Sequence, residues 1–311
     1  MNYRNLGRSG LRVSEIGLGT NQFGGKVDQD QASEIIHAAV DQGVNLIDTA
    51  DVYQEGRSEQ VIGKALADIR DQVIIGTKVY YPVGEGPNQR SASRQHIIEG
   101  VEASLRRLEV EAIDLYQIHH WDEVTPIEET LRALDDLVRS GKVRYLGASN
   151  FSAWQVTHAN ALAELRGWSR FVSVQPHYNM FVREVERELL PACEYFDLGV
   201  LPYFPLAGGF LTGKYQQGEG APKGSRGESS DYVQKFMTRG NYRIMDELTA
   251  FAQERGRTMV ELAHAWLLSS PQVSCVISGA TSVDQLTSNS KASGWELSEV
   301  EQEGIREILE G

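Results

Sequence analysis

The sequence predicts an α/β protein whose eight parallel strands close into a (β/α)8 barrel, and three observations predict it. Short β-branched or apolar runs alternate with amphipathic stretches of helical period along the chain, the pattern of parallel strands joined by crossover helices. Eight such strands can be counted, and right-handed crossovers repeated that often close a sheet upon itself. The 311 residues are 41% hydrophobic, and the only long polar interruption, residues 216–239, lies too far toward the C-terminus to divide two balanced domains. One domain spanning residues 1–311 is therefore expected. A doubly wound open sheet is the alternative, because periodicity does not say whether the sheet closes.

Taken in order, residues Tyr3–Val13 with an Arg8-Ser9-Gly10 turn read as a small hairpin that would cap the barrel's N-terminal end. Strands are expected near Ile16–Leu18, Leu46–Asp48, Val73–Lys78, Ile113–His119, Val143–Ser149, Val172–Pro176, Gly199–Pro202 and Cys275–Ile277. The helices between them fall near Gln31–Gln42, Ser58–Ala67, Ser93–Leu108, Pro126–Ser140, Ala153–Leu165, Glu184–Tyr195, Tyr242–Glu254, Met259–Leu268 and Val283–Asn289. Boundary signals agree: Ser58 precedes a helix-length run, Thr125-Pro126-Ile127-Glu128 reads as an N-cap with Pro in the first helical position, and Gly43 and Gly141 follow helices. The polar segment 216–239 reads as a mobile loop. It follows the seventh strand, so it belongs to the barrel's active face and would fold over a ligand there.

Composition narrows the function. Forty-three acidic against thirty basic residues give a formal charge of −13, which argues against nucleic acid, although a cofactor phosphate needs only a local donor pocket. Cys193 and Cys275 sit in apolar surroundings and read as buried thiols in a reducing compartment. The N-terminus lacks a signal-peptide pattern and no run of 18 apolar residues occurs, so a soluble, cytoplasmic protein without a membrane partner is expected. Oligomeric state is not legible.

Four ionisable residues stand at or just beyond consecutive strand ends: Asp48 and Tyr53 after the second, Lys78 ending the third, His119 ending the fourth. In a closed barrel these ends surround one mouth. A phenol is a weak acid at neutral pH, but a nearby ammonium favours the phenolate; Lys78 can supply that charge, and Asp48 can hold it in place. His119 could then hydrogen-bond a carbonyl oxygen. Taken singly, each has an ordinary reading as a capping residue, a loop aromatic or a surface charge; their conjunction favours chemistry. His119 and His120 alternate in direction on a strand end, so spacing alone leaves open which faces the mouth, and the same alternation argues against a paired metal site.

The segments YRNLGRSGLRVSEIGLGT, IDTADVY, GTKV, IDLYQIHHWD, YLGASNF, VQPHYN, PYFPLAGGFLTGKY and SGATSVDQLTSNS together resemble the aldo-keto reductases over essentially the whole chain, in the branch of bacterial enzymes and potassium-channel β subunits. The resemblance implies a TIM barrel that reduces aldehyde or ketone carbonyls with a nicotinamide cofactor. Asp48, Tyr53, Lys78 and His119 match the family's catalytic positions, which decides between the two histidines.

The resemblance also implies a cofactor path. Gly19, Thr20 and Asp48 would lie beneath the nicotinamide, Ser149, Asn150 and Gln175 would hold its carboxamide, and Tyr203 would stack on the ring. The segment Phe204-Pro205-Leu206 with Gly208, Leu211 and Lys214 would meet the pyrophosphate. Gly279, Thr281, Ser282, Gln285 and Asn289 would meet the adenosine end, at a helix N-terminus suited to an anion. Many relatives place a Lys or Arg there, whereas Thr281, Ser282 and Gln285 are neutral; NADPH is the first choice and NADH the alternative. His177 stands where this branch often has a carboxylate. Phe23, Tyr80, His120 and Trp121 are candidates for a pocket around a small-molecule carbonyl substrate, or for closing the core.

Gly17-Leu18-Gly19-Thr20-Asn21-Gln22 begins like a dinucleotide-binding glycine fingerprint but lacks its third glycine and the following helix. Two rival functions remain: a cofactor-bound redox-sensing or regulatory module with slow turnover, and a barrel enzyme of other chemistry, since fold alone does not fix function.

Overall fold

The structure, a computed structural model, describes residues 1–311. An antiparallel hairpin, β1 (Tyr3–Asn5) and β2 (Arg12–Ser14), precedes the parallel strands β3 (Ile16–Gly19), β4 (Leu46–Asp48), β5 (Ile74–Val79), β6 (Ile113–Ile118), β7 (Val143–Ser149), β8 (Phe171–Gln175), β9 (Gly199–Val200) and β10 (Val276–Gly279). They lie side by side in the order β10-β3-β4-β5-β6-β7-β8-β9. Backbone hydrogen bonds join the seam between β9 and β10: Val200 donates to Gln272 at 2.8 Å, Ser274 to Val200 at 3.0 Å and Ile277 to Pro202 at 2.9 Å. The sheet therefore has no free edge and closes as a TIM barrel.

Eleven helices wrap it: α1 (Gln29–Asp41), α2 (Arg57–Ala65), α3 (Arg94–Leu108), α4 (Ile127–Arg139), α5 (Ala153–Arg166), α6 (Leu189–Phe196), α7 (Asp231–Gln234), α8 (Arg239–Gln253), α9 (Met259–Leu268), α10 (Val283–Ser290) and α11 (Glu299–Glu310). Helix α4 shows why. Leu131, Leu134 and Leu137 recur at helical spacing and are buried, while Glu128 and Glu129 in the first turn and Arg139 in the last complement the helix dipole. No helix is long and apolar enough to cross a membrane.

Some local expectations are corrected. Ser58 does not cap α2; Gly56 takes that position, and the Ser58 hydroxyl donates instead to the Thr20 carbonyl at 3.0 Å. Pro126 is the cap of α4 and not its first residue, because its ψ of 130° is extended. Helices α7 and α11 had no expected counterpart, although Ser298 and Glu301 form a capping box at the start of α11.

The core has an outer layer between sheet and helices and a smaller cluster inside the barrel, where Leu46, Leu115, Leu201, Cys275 and Ile277 meet Leu6 and Val13 of the hairpin region. The hairpin thus plugs the N-terminal end. Arg4 fastens it, donating to the carbonyls of Leu268 and Val273 at 2.9 Å each and to Glu15. Cys193 and Cys275 are both buried and free.

Candidate active site

The interior changes character along the barrel axis. Strand alternation that points Leu46 and Leu115 inward also points Asp48, Gln117 and His119 inward, nearer the C-terminal mouth. Gly147 keeps room for this polar layer, since a Cβ there would lie 2.8 Å from Ser173 Oγ and 2.9 Å from Gln117 Cγ.

Lys78 is wholly buried and its ammonium donates to Asp48 Oδ2 at 2.6 Å and to the Thr49 carbonyl at 2.7 Å. The other carboxylate oxygen, Asp48 Oδ1, accepts from Gln117 at 3.1 Å and Gln175 at 2.8 Å. Burial acts to lower the Lys78 pKa, but attraction to Asp48 and the contact with Tyr53 outweigh it and hold the ammonium charged.

Tyr53 stands over this pair, with Lys78 Nζ 5.1 Å from its ring centroid. A tight turn presents it: Gln54 and Glu55 adopt left-handed φ values of 50° and 60°, and Gln54 donates to the Asn21 carbonyl at 2.9 Å. Burial pushes the phenol above its ordinary value even though Lys78 pulls it down. The expectation that Lys78 would bring it below that value is thus reversed, because desolvation is the larger effect.

His119 faces the mouth and meets the Tyr53 ring edge-on at 5.8 Å and the Tyr81 ring at 4.8 Å. Burial, then the charge of Lys78, hold its pKa well below the usual imidazole range, so it is neutral. Its Nδ1 is buried without a partner. His120 points away, is exposed and stacks on Tyr80 at 5.5 Å.

These residues open into one cleft of about 540 Å³. Among the expected cofactor contacts, Gly19, Thr20, Asp48, Ser149, Asn150, Gln175 and Tyr203 line it at the strand ends. Phe204, Pro205, Leu206, Gly208 and Lys214 line it after β9, as do Gly279 at the end of β10 and Thr281, Gln285 and Asn289 beyond it. Leu211 does not line it and is packed in the core beside Phe210. Ser282 also stands off the cleft, capping α10 through the Gln285 amide.

None of Phe23, Tyr80, His120 and Trp121 lines the cleft. Phe23 is fully buried in the core, and Trp121 packs between Phe151 and Trp154. Tyr81 takes the place expected for Tyr80: it lies beside His119 and lines the cleft. Strand alternation past Lys78 is the signal that was available, but Tyr80 has a φ of 155° and the chain has already left β5.

Sequence reasoning also missed Lys26 and Arg226, both in the cleft lining. Neither they nor Lys214 form an ion pair, and the one acidic residue in the lining, Asp48, is already paired with Lys78. A chain of charge −13 therefore presents a cationic cleft. Gly224, Ser225 and Arg226 of the loop 216–239 form part of its wall. Tyr232 anchors that segment by a hydrogen bond to His177 Nε2 at 2.5 Å, and His177 stacks on Tyr203 at 5.3 Å.

A family model described as "Aldo/keto reductase family" matches residues 15–310. The chain belongs to the aldo/keto reductase family. Among similar proteins, a "Probable voltage-gated potassium channel subunit beta" of Oryza sativa subsp. japonica is 40% identical over 94% of this chain and 91% of its own length. "Aldo-keto reductase YhdN" of Bacillus subtilis (strain 168) is 37% identical over 100% of this chain and 94% of its own. "Versiconal hemiacetal acetate reductase" of Aspergillus parasiticus is 35% identical over 87% and 86% respectively. This aldo/keto reductase is accordingly an NAD(P)H-dependent oxidoreductase acting on small-molecule carbonyls.

Proposed function

We propose that this reductase uses NADPH to reduce aldehydes and ketones to alcohols, with Tyr53 as the proton donor. The observation that carries the reading is the convergence of Tyr53 and His119 in one cleft above a buried Lys78–Asp48 pair 2.6 Å apart.

An acid must hold its proton until it is needed. Burial keeps the Tyr53 phenol protonated through neutral pH, and an alkoxide-like oxygen developing on the substrate is basic enough to take that proton. The adjacent Lys78 ammonium, held by Asp48, then stabilises the phenolate left behind. His119, neutral and facing the cleft, orients the carbonyl by donating a hydrogen bond to its oxygen. When bound, the nicotinamide supplies the hydride.

The cleft fits a dinucleotide. Lys26, Lys214 and Arg226 are unpaired cations in its wall, and Gly208 and Gly209, at φ values of 69° and 105°, lay bare backbone beside Lys214. Ser149, Asn150 and Gln175 would hold the carboxamide and Tyr203 the ring, with Thr281, Gln285 and Asn289 at the other end. Lys214 and Arg226 supply cations that Thr281, Ser282 and Gln285 at the start of α10 do not, which favours the additional phosphate of NADPH over NADH. The segment 216–239 is a strap across this cofactor. Tyr81, its ring 4.8 Å from that of His119, forms part of the wall beside the reacting corner.

The test is NADPH and NADH oxidation, followed by absorbance, with a panel of aldehydes and ketones. Wild type should turn over, and Tyr53→Phe should lower kcat by about 10²–10⁴ while cofactor still binds. No binding of either dinucleotide would sink the reading. The likeness to a named potassium-channel β subunit favours a second one, a cofactor-holding sensor; tight binding with negligible turnover on every carbonyl would select it.

A further inference from the structure

His264 of α9 is fully buried and takes no part in the chemistry above. It lies behind the section of the cleft wall formed by Val260, Ser278, Ser288 and Asn289. Tyr53 and His119 face the barrel mouth, whereas Ser278 faces outward from β10 into the helix layer against α9. This section is therefore the outer end of the cleft.

The hydrogens here can be assigned by elimination. His264 Nδ1 is 2.7 Å from the Val260 carbonyl and Nε2 is 2.9 Å from Ser278 Oγ. A carbonyl only accepts, so Nδ1 carries the hydrogen and Nε2 a lone pair. The Ser278 hydroxyl must then donate to Nε2. Burial lowers the His264 pKa to about 4, so a second ring proton does not reverse this assignment at neutral pH. Ser278 is among the residues lining the cleft, though only 2% exposed; its one hydrogen is committed to His264, so its oxygen has lone pairs alone to offer a ligand. Asn289 donates one of its two Nδ2 hydrogens to the Gly279 carbonyl at 3.4 Å and keeps Oδ1 as an acceptor, so the one-way constraint belongs to Ser278 alone.

We propose that the His264–Ser278 pair makes the outer end of the cleft a reader of the dinucleotide's second base, accepting the 6-amino group of adenine and rejecting the 6-carbonyl of hypoxanthine. The inference rests on the dinucleotide reading, in which the nicotinamide lies at Tyr53 and the other nucleotide at the outer end. An exocyclic amino group donates to Ser278 Oγ. A carbonyl there sets lone pair against lone pair, and Ser278 cannot turn its hydrogen toward the ligand without stranding the buried Nε2 of His264. His264 acts through Ser278 and is a positioning residue; Ser278 determines specificity.

The experiment titrates the full chain with NADPH and with its analogue carrying hypoxanthine in place of adenine, following nucleotide fluorescence. Wild type should bind the adenine form about tenfold more tightly, about 1.4 kcal/mol. Ser278→Ala should bring the two affinities to within about threefold. His264→Leu should do the same with Ser278 intact, because the freed hydroxyl can then turn to suit either base. A wild-type preference below about twofold overturns the inference and leaves the dinucleotide reading standing, as does a Ser278→Ala protein that keeps the full preference. Failure of both dinucleotides to bind removes the reading beneath it. If His264→Leu does not fold, wild type and Ser278→Ala still decide.

Discussion

At the scale of single residues, two buried carboxylates a few positions apart behave in opposite ways. Asp48 is satisfied on both oxygens, by Lys78 on one and by Gln117 and Gln175 on the other. Asp51 is equally buried, yet no side chain donates to either of its carboxyl oxygens. Burial, reinforced by repulsion from Glu59, pushes its pKa up to about 8 against the pull of Arg107 and Lys78. In the unfolded chain an aspartate titrates near ~3.9. Between those values the folded state binds more protons than the unfolded one, so stability falls as pH rises, by at most ~1.4 kcal/mol per pH unit from this group. Asp51→Asn should keep the shape, flatten that dependence between about pH 4 and pH 8, and make the protein more stable at pH 8. Denaturant unfolding across this range checks it, and parallel curves for the two proteins would refute it.

At the scale of elements, the strap over the cleft is held by contacts spread along the chain. Tyr232 bonds His177 after β8 and packs on Phe204 after β9, while Phe236 meets Phe181 and Phe210. Gly208 lies beneath this clasp, where a Cβ would come within 2.7 Å of Val233. His177, in a position where a carboxylate was expected, thus serves as the anchor for a phenol. Tyr232→Phe removes one hydrogen bond, about 1 kcal/mol, and should speed cofactor release about fivefold in stopped-flow displacement. An unchanged release rate would mean that the segment does not gate the cofactor.

Across the whole molecule, the hairpin and the cleft occupy opposite ends of the barrel, separating what stabilises the fold from what performs chemistry. Leu6 is fully buried at the plugged end, so Leu6→Ala should cost about 2–5 kcal/mol in chemical unfolding. Turnover per folded molecule should hold; its loss in proportion to stability would show that the two ends are coupled.

The sequence by itself determined the eight strands alternating with helices, the hairpin and the four ionisable strand-end residues. Each of these rests on local information: hydrophobic period, turn residues, and charged or phenolic groups where apolar runs stop. Tertiary structure decided the rest, and closure of the sheet rests on the bonds across the β9–β10 seam. The choice of Tyr81 over Tyr80 depends on a backbone turn after β5, and the burial of Phe23 depends on packing that no spacing records. Lys26 and Arg226 reach the cleft from distant loops, and the meaning of His264 depends on a serine fourteen positions away. Directions of buried side chains, and which of their hydrogens remain free, are set by neighbours far apart in the chain. That is why the ionisable residues at the strand ends could be read in one dimension and the wall of the cleft around them could not.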